Sequence, residues 1–269
     1  MIHLDLYTQH CEAEFYFNDI PIRRMTASEN FHSMNAHHLL LDGKNQMEIL
    51  IKPGLTPSTA RKLSEDHGLD EQGHAPKACL KLVKYPIGAF AGDDGQGQLL
   101  MQLNFEYDKE KNPVIQFPFS IKMEKELGPM FGGWNWEQCS QISLNESISQ
   151  IHEVAKRVYQ AFVKGDAETV VRLSSPALYD LGRALPAYGE NAFRNDMLRD
   201  IQTNALVAKS APAYDTEVTD YRVCADGRLV QLLNKDWTHT IKAPADADGV
   251  EYELPAFLGQ YQGQWFIVL

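Results

Sequence analysis

The sequence predicts two domains: an all-β, jelly-roll-like sandwich over residues 1–140, and an α+β domain over 141–269 with helices packed on a bent antiparallel sheet. Three observations carry this. Before residue 141 the chain reads as short alternating strands divided by turns. Ser143 to Gly165, SLNESISQIHEVAKRVYQAFVKG, is a helix with one apolar face. After residue 217 the period returns to two.

The strands come first. Residues 2–7 and 13–24 alternate, and Asn18-Asp19 breaks the second run with a turn. Asp42-Gly43 is a further turn signal, and Met47, Ile49 and Ile51 then alternate as in a half-buried strand ended by Pro53-Gly54. Residues 55–76 are rich in Pro, Gly, Ser, Asp and His and read as a long surface loop. Strands follow at 78–85, 98–107 and 114–123, and the connector GAFAGDDGQG between the first two reads as a flexible turn. FGGWNWEQC, 131–139, closes this half. Turns at irregular spacing in an all-β chain point to a sandwich or jelly roll.

The helices come next. On Ser143–Gly165, Ile148, Ile151, Ala155, Val158, Tyr159 and Phe162 form the apolar face. Ser143 and Glu146 fit a capping box, and Gly165 is a left-handed stop. Asp166 caps a second helix ending at Leu173, and Ser175-Pro176 opens a third. A fourth runs from Glu190 to Leu206, with Phe193, Met197 and Ile201 on one face. Residues 218–225 and 228–234 flank Asp226-Gly227, a hairpin signal. Runs at 237–242, 250–258 and 265–269 complete an antiparallel set.

Composition narrows the function classes. Net charge is −11, with 19 acids to 13 bases before residue 141 and 17 to 12 after it. Acidity spread over both halves argues against nucleic acid, which wants a basic face. It suits a basic partner, since complementary charge speeds encounter, and it also aids solubility. No apolar run reaches the ~20 residues of a membrane helix, and the N-terminus lacks signal-peptide character, so a cytoplasmic protein is expected. Cys11, Cys79, Cys139 and Cys224 are scattered without a CxxC pair, so free thiols are expected and no zinc site.

No catalytic signature sets the function. Gly-x-Ser-x-Gly, GxGxxG and P-loop spacings are absent. Asp93-Asp94 alone is not a calcium loop. His37 and His38, with His32 nearby, would face opposite ways on a strand and not converge on one ion. His67 and His74 sit in the long loop, His3 and His10 share no ligand spacing, and His152 falls between core positions of its helix. No metal or cofactor is expected. Asp236-Trp237-Thr238-His239 is the most enzyme-like stretch, but alternation puts Asp236 and His239 on opposite faces of a strand. Trp134 and Trp136 would share a strand face, as a binding platform or as packing between the domains.

Three resemblances bear on function. Val163-Lys164-Gly165-Asp166 at the end of the long helix, with Tyr261-Gln262-Gly263-Gln264-Trp265-Phe266-Ile267 at the close of the chain, resembles the nuclear-transport-factor-like (cystatin-like) superfamily over residues 143–269. That resemblance implies helices over a bent sheet, often homodimerising through the open sheet face, and a superfamily mixing enzymes with binding modules. FYFNDIPI, 15–22, and LLLDGKNQMEILI, 39–51, with Gly43 and Asn45, are similar to galactose-binding-like jelly rolls, although Gln46 stands where an apolar residue is usual. The whole arrangement resembles bacterial proteins encoded beside secreted toxins, which act as immunity proteins. The expected function is therefore a non-enzymatic binding protein that blocks a cognate toxin, with Trp134, Trp136, Asp236, Trp237 and His239 as candidate partner contacts. The alternatives are an isomerase- or hydratase-type enzyme using the cone-shaped pocket between sheet and helices that the superfamily resemblance implies for the second domain, and a carbohydrate-binding accessory protein.

Overall fold

The structure is a computed structural model. It describes residues 1–62, 75–93, 95–108, 116–129, 132–189, 191–208, 213–243 and 251–269, with backbone alone at 205–208. His67, His74, Asp94, Phe131, Glu190, the start of the expected 114–123 strand, residues 244–249 and Val250 lie outside the described residues. The described fold is mixed α+β: strands, then helices, then strands. Contacts divide it into two compact units, Met1–Leu55 with Thr59–Gly132, and Thr56–Ser58 with Gly133–Leu269. No described helix is long and apolar enough to cross a membrane.

The first unit holds two four-stranded antiparallel sheets. Strands β1 (Ile2–Gln9), β2 (Ala13–Phe17), β3 (Ile20–Met25), β4 (Phe31–Asn35), β5 (Lys44–Ile51), β6 (Lys77–Lys84), β7 (Gln98–Glu106) and β8 (Phe119–Glu126) order as β4-β1-β6-β7 and β3-β2-β5-β8. The buried positions Leu4 and Leu6 of β1, Phe15 and Phe17 of β2, Met47 and Ile49 of β5, and Leu80 and Leu82 of β6 supply the core. Asn18 and Asp19 both adopt positive φ, 51° and 57°, which is the two-residue turn that suits a twisted hairpin. The Asn18 amide then reaches Leu39 O at 2.8 Å and Asn45 Oδ1 at 2.9 Å, while Gln46 N–H donates to Asn18 Oδ1 at 2.8 Å. Asn45 in turn closes the Asp42-Gly43 turn by bonding the N–H and C=O of Leu41 at 2.9 Å each.

Several expectations are corrected here. β5 is buried on both faces instead of half-buried, because it is an inner strand and Glu48 on its second face is covered by Arg61 (2.7 Å), Ser120 (2.7 Å) and Lys122 (3.2 Å). β4 carries no clear alternation and was not expected; its pairing to β1 makes it a strand. His37 and His38 belong to a 3-10 turn, His37–Leu39, in place of a strand. Of the expected 114–123 strand, the described residues 116–118 are not strand, and β8 starts at Phe119.

In the second unit, α1 (Leu144–Lys164), α2 (Ala167–Leu173), α3 (Ser175–Ala184) and α4 (Ala192–Ala208) precede β9 (Thr219–Cys224), β10 (Leu229–Asn234), β11 (Ala256–Tyr261) and β12 (Gln264–Ile267), whose antiparallel order is β12-β11-β10-β9. Ile151, Ala155, Val158 and Phe162 of α1 share one core with Val230, Leu232, Leu258 and Ile267 of the sheet. The end of α1 is built from two adjacent residues. Gly165 is left-handed (φ 71°), which lets Asp166 N–H return to Ala161 O at 2.9 Å. Asp166 Oδ1 then accepts Thr169 N–H at 3.1 Å and starts α2. At the other end of α1 the expected capping box does not form. The Ser143 side chain makes no cap bond, and its carbonyl takes Glu146 N–H and Ser147 N–H instead.

The expected strand over 237–242 is also replaced. Asp236 Oδ1 accepts both Thr238 N–H (3.1 Å) and Thr238 Oγ1–H (2.7 Å), and Trp237 takes a φ of 71°. A short polar side chain that captures nearby backbone competes with the ladder, so only isolated bridges form, at Leu233–His239 and Lys242–Glu253. The Asp226-Gly227 hairpin forms with a longer turn, Ala225, Asp226 and Gly227 all having positive φ.

Candidate interaction surface

Successive side chains of a strand alternate between faces. In the sheet β4-β1-β6-β7, Leu4 and Leu6 face the core, so His3, Asp5, Tyr7 and Gln9 face outward. Cross-strand register brings Ser33, Tyr7's partner Phe31, Lys81 and Cys79 onto the same outer face. Asp5 is nonetheless fully buried. Its Oδ1 accepts from Ser33 Oγ at 2.5 Å and its Oδ2 accepts from the Tyr85 hydroxyl. Ser33 Oγ also meets His3 Nδ1 at 3.1 Å. Burial lowers the His3 pKa, against the raising effect of the Asp5 charge. Burial raises that of Tyr85, and the bond to Asp5 adds to it.

Aspartate, serine and histidine here do not make a nucleophile. Hydrolytic triads place the carboxylate behind the histidine and the hydroxyl in front of it. In this cluster Ser33 sits between the other two and gives its proton to Asp5. What the cluster does is hold a loop. Gly92 N–H donates to the Tyr85 hydroxyl at 2.8 Å, tying the chain at Gly92 to the buried carboxylate. Gly92 has φ 86°, a backbone conformation that favours glycine, and a Cβ there would lie 2.6 Å from the tip of the Phe31 ring, which would have to shift. Within the loop, Asp93 accepts from Gly95 N–H at 3.1 Å and from the Gln96 amide at 2.6 Å.

The braced loop presents apolar side chains to solvent. Ile87 is 97% exposed and Phe90 81%; on the edge strands of the same sheet, Leu99 of β7 is 50% and Phe31 of β4 44% exposed. The Phe31 ring stands 4.9 Å from that of Tyr7, and the Lys81 ammonium lies 5.0 Å from the Tyr7 centroid. Beyond Tyr7 the same sheet carries an open cavity of about 530 Å³, lined by Tyr7, Gln9, Asn30, Cys79 and Asn104 among others. The expected flexible turn is thus a built surface. The signal in the sequence was Ile87 and Phe90, two large apolar residues in a connector that would otherwise be polar.

The candidate residues of the second unit go elsewhere. Trp134 and Trp136 do not share a strand face: Trp136 begins a 3-10 helix, Trp136–Gln138, and both rings are buried. The segment is clipped to α3. Asp180 Oδ2 accepts Asn135 N–H at 2.6 Å, Asn135 Nδ2 donates to Pro176 O at 3.1 Å, and the Arg183 guanidinium lies 4.9 Å from the Trp134 ring. Burial pushes the Asp180 carboxyl up to about 6, against the lowering effect of those bonds.

Asp236, Trp237 and His239 have separate partners. Asp236 is turned back onto Thr238, Trp237 lies under Arg222 at 5.5 Å, and His239 Nε2 is 3.4 Å from Glu253 Oε2. Among the described residues no three of His, Cys, Asp or Glu are grouped to hold a metal ion. Comparison of the chain with family models, with curated proteins and with solved structures gives no match.

Proposed function

We propose that this chain is a non-enzymatic cytoplasmic binding protein, and in its sharper form an immunity protein that covers and blocks a cognate secreted bacterial toxin. One observation carries the reading: the loop held by Asp5 and Tyr85 displays Ile87 and Phe90 almost wholly to water. Apolar side chains exposed together and braced by buried polar bonds suit a partner surface, since pre-organised contacts lose little entropy on binding. The half-exposed Phe31 ring, which meets the loop at Gly92, adds to the patch. A net charge of −11 adds steering toward a basic toxin. Occlusion would be steric and needs no catalytic group. The cone-enzyme alternative draws less support, because apolar side chains fill the space between α1 and the sheet.

The finer fold reading belongs to the same proposal. The two antiparallel sheets of the first unit fit a jelly-roll-like β-sandwich. The second unit's Gly165-Asp166 helix end, short helices and closing Gly263-Gln264-Trp265 hairpin fit the nuclear-transport-factor-like arrangement.

The test is co-expression with the products of the flanking genes, followed by affinity and growth-protection measurements. Ile87→Asp with Phe90→Asp should abolish both complex and protection while the chain stays folded. Protection by the double variant equal to that of the wild type would sink the assignment of this surface. A toxic neighbour that the wild-type chain neither binds nor restrains would sink the immunity reading. Sedimentation of the isolated chain separates a toxin complex from self-association through the same face.

A further inference from the structure

The chain has ten arginines, all of them described. Eight give a guanidinium N–H to a protein oxygen: Arg23 and Arg24 to Glu29 and Glu12, Arg61 to Glu48, and Arg183, Arg194, Arg199, Arg222 and Arg228 to partners in the second unit. The guanidinium groups of Arg157 and Arg172 have no hydrogen bond or ion pair among the described residues. Asp166, the α2 cap, feels Arg172 through space without bonding it. Both unbonded arginines line the same open cavity, of about 580 Å³, between α1, the end of α2 and β12.

The other walls have a definite chemistry. Trp265 and Phe266 of β12 and Val154 and Leu173 of the helices are apolar. The Trp265 indole N–H donates to Gln150 Oε1 at 2.9 Å, which fixes its ring. Ser175, the first residue of α3, also faces the cavity, so the partial positive charge of that helix start adds to the two guanidinium groups. Glu153 is the one carboxylate of the lining, and it is not bonded to Arg157 four residues on. Pockets that hold small molecules combine apolar walls with a few convergent polar groups.

We propose that this groove binds an anion attached to a flat apolar body: a carboxylate or phosphate held by Arg157 and Arg172, with its aromatic or aliphatic part against Trp265 and Phe266. Guanidinium groups suit both anions through paired N–H donors. The site lies within the second unit and stands or falls apart from the toxin-binding surface of the first.

The test titrates the full chain with phenyl phosphate, inorganic phosphate and phenol, following Trp fluorescence and calorimetric heat. Phenyl phosphate should saturate and bind more tightly than either fragment. Arg157→Ala and Arg172→Ala should each weaken it about tenfold, with thermal unfolding unchanged because both side chains are exposed and unbonded. A peptide ending in phenylalanine carries the carboxylate version; whichever of the two binds more tightly names the source, and either result supports the site. Affinity unchanged in the double arginine variant would overturn the proposal. So would inorganic phosphate binding as tightly as phenyl phosphate, since the apolar walls would then play no part, and so would no saturable binding of any probe.

Discussion

The Tyr85 hydroxyl donates to the fully buried carboxylate of Asp5 and accepts the backbone N–H of Gly92. One phenol therefore joins the outer face of the sheet to the loop that carries Ile87 and Phe90. Tyr85→Phe removes both bonds and leaves Asp5 with Ser33 as its remaining side-chain donor. A loss of about 1–3 kcal/mol in urea unfolding is expected. Amide exchange at Gly92 should rise beyond that of the strands. Unchanged protection at Gly92 would show that the loop is held by something else.

Asn45 tests whether the Gly43–Asn45 stretch is structural. Its amide serves Asn18 and both backbone groups of Leu41 at 2.9 Å each, and donates to Gly43 O at 3.2 Å. Asn45→Ala leaves buried donors and acceptors without partners, at a cost of about 2–4 kcal/mol. Asn45→Asp keeps the acceptor for Leu41 N–H but loses the donor, and should fall between. A variant as stable as the wild type would show that these bonds do not hold the turn.

Asp180 makes a pH prediction with a definite sign. Burial raises its carboxyl from the ordinary carboxylate range up to about 6 in the folded state. The folded protein thus holds this proton more tightly than the unfolded chain, so this group's contribution to stability falls as pH rises to about 6 and is constant above it. Asp180→Asn keeps an oxygen for Asn135 N–H and carries no charge. Its stability relative to the wild type should therefore increase by about 1–2 kcal/mol between pH 4 and pH 7, after discounting the shift for the partly exposed Arg183 beside it. Denaturant titrations of both proteins at the two pH values measure the difference. A difference independent of pH would mean that the Asn135 and Arg183 contacts cancel the effect of burial, and a relative stability that falls over this range would mean that they outweigh it.

What was legible in the sequence was local. The α1 stripe, the Gly165-Asp166 junction and the Asn18-Asp19 turn each follow from side chains within a few residues of one another. What was not legible depended on distant partners. Phe31–Asn35 shows no alternation and is a strand because β1 pairs with it. Glu48 looked like the solvent side of β5 until Arg61, Ser120 and Lys122 are brought over it. The 236–239 stretch was misread because the Asp236 side chain captures Thr238 before a strand can form. The unbonded state of Arg157 and Arg172 could not be read at all, since an arginine's partners are set by the fold.

Ile87 and Phe90 allow folding and binding to be separated. Neither side chain covers core, since both stand in water. Replacing exposed apolar residues away from structural bonds usually changes stability by less than about 0.5 kcal/mol. Ile87→Asp with Phe90→Asp should therefore leave the unfolding midpoint where it was, while reducing dye binding and any self-association at high concentration. A chain destabilised by several kcal/mol would show that these side chains are covered in the native protein, and that the surface is already occupied before any partner arrives. A chain equally stable but unchanged in dye binding would move the exposed apolar area to Phe31 and Leu99. The wanted result, native stability with the patch gone, supplies the control that makes loss of a partner interpretable.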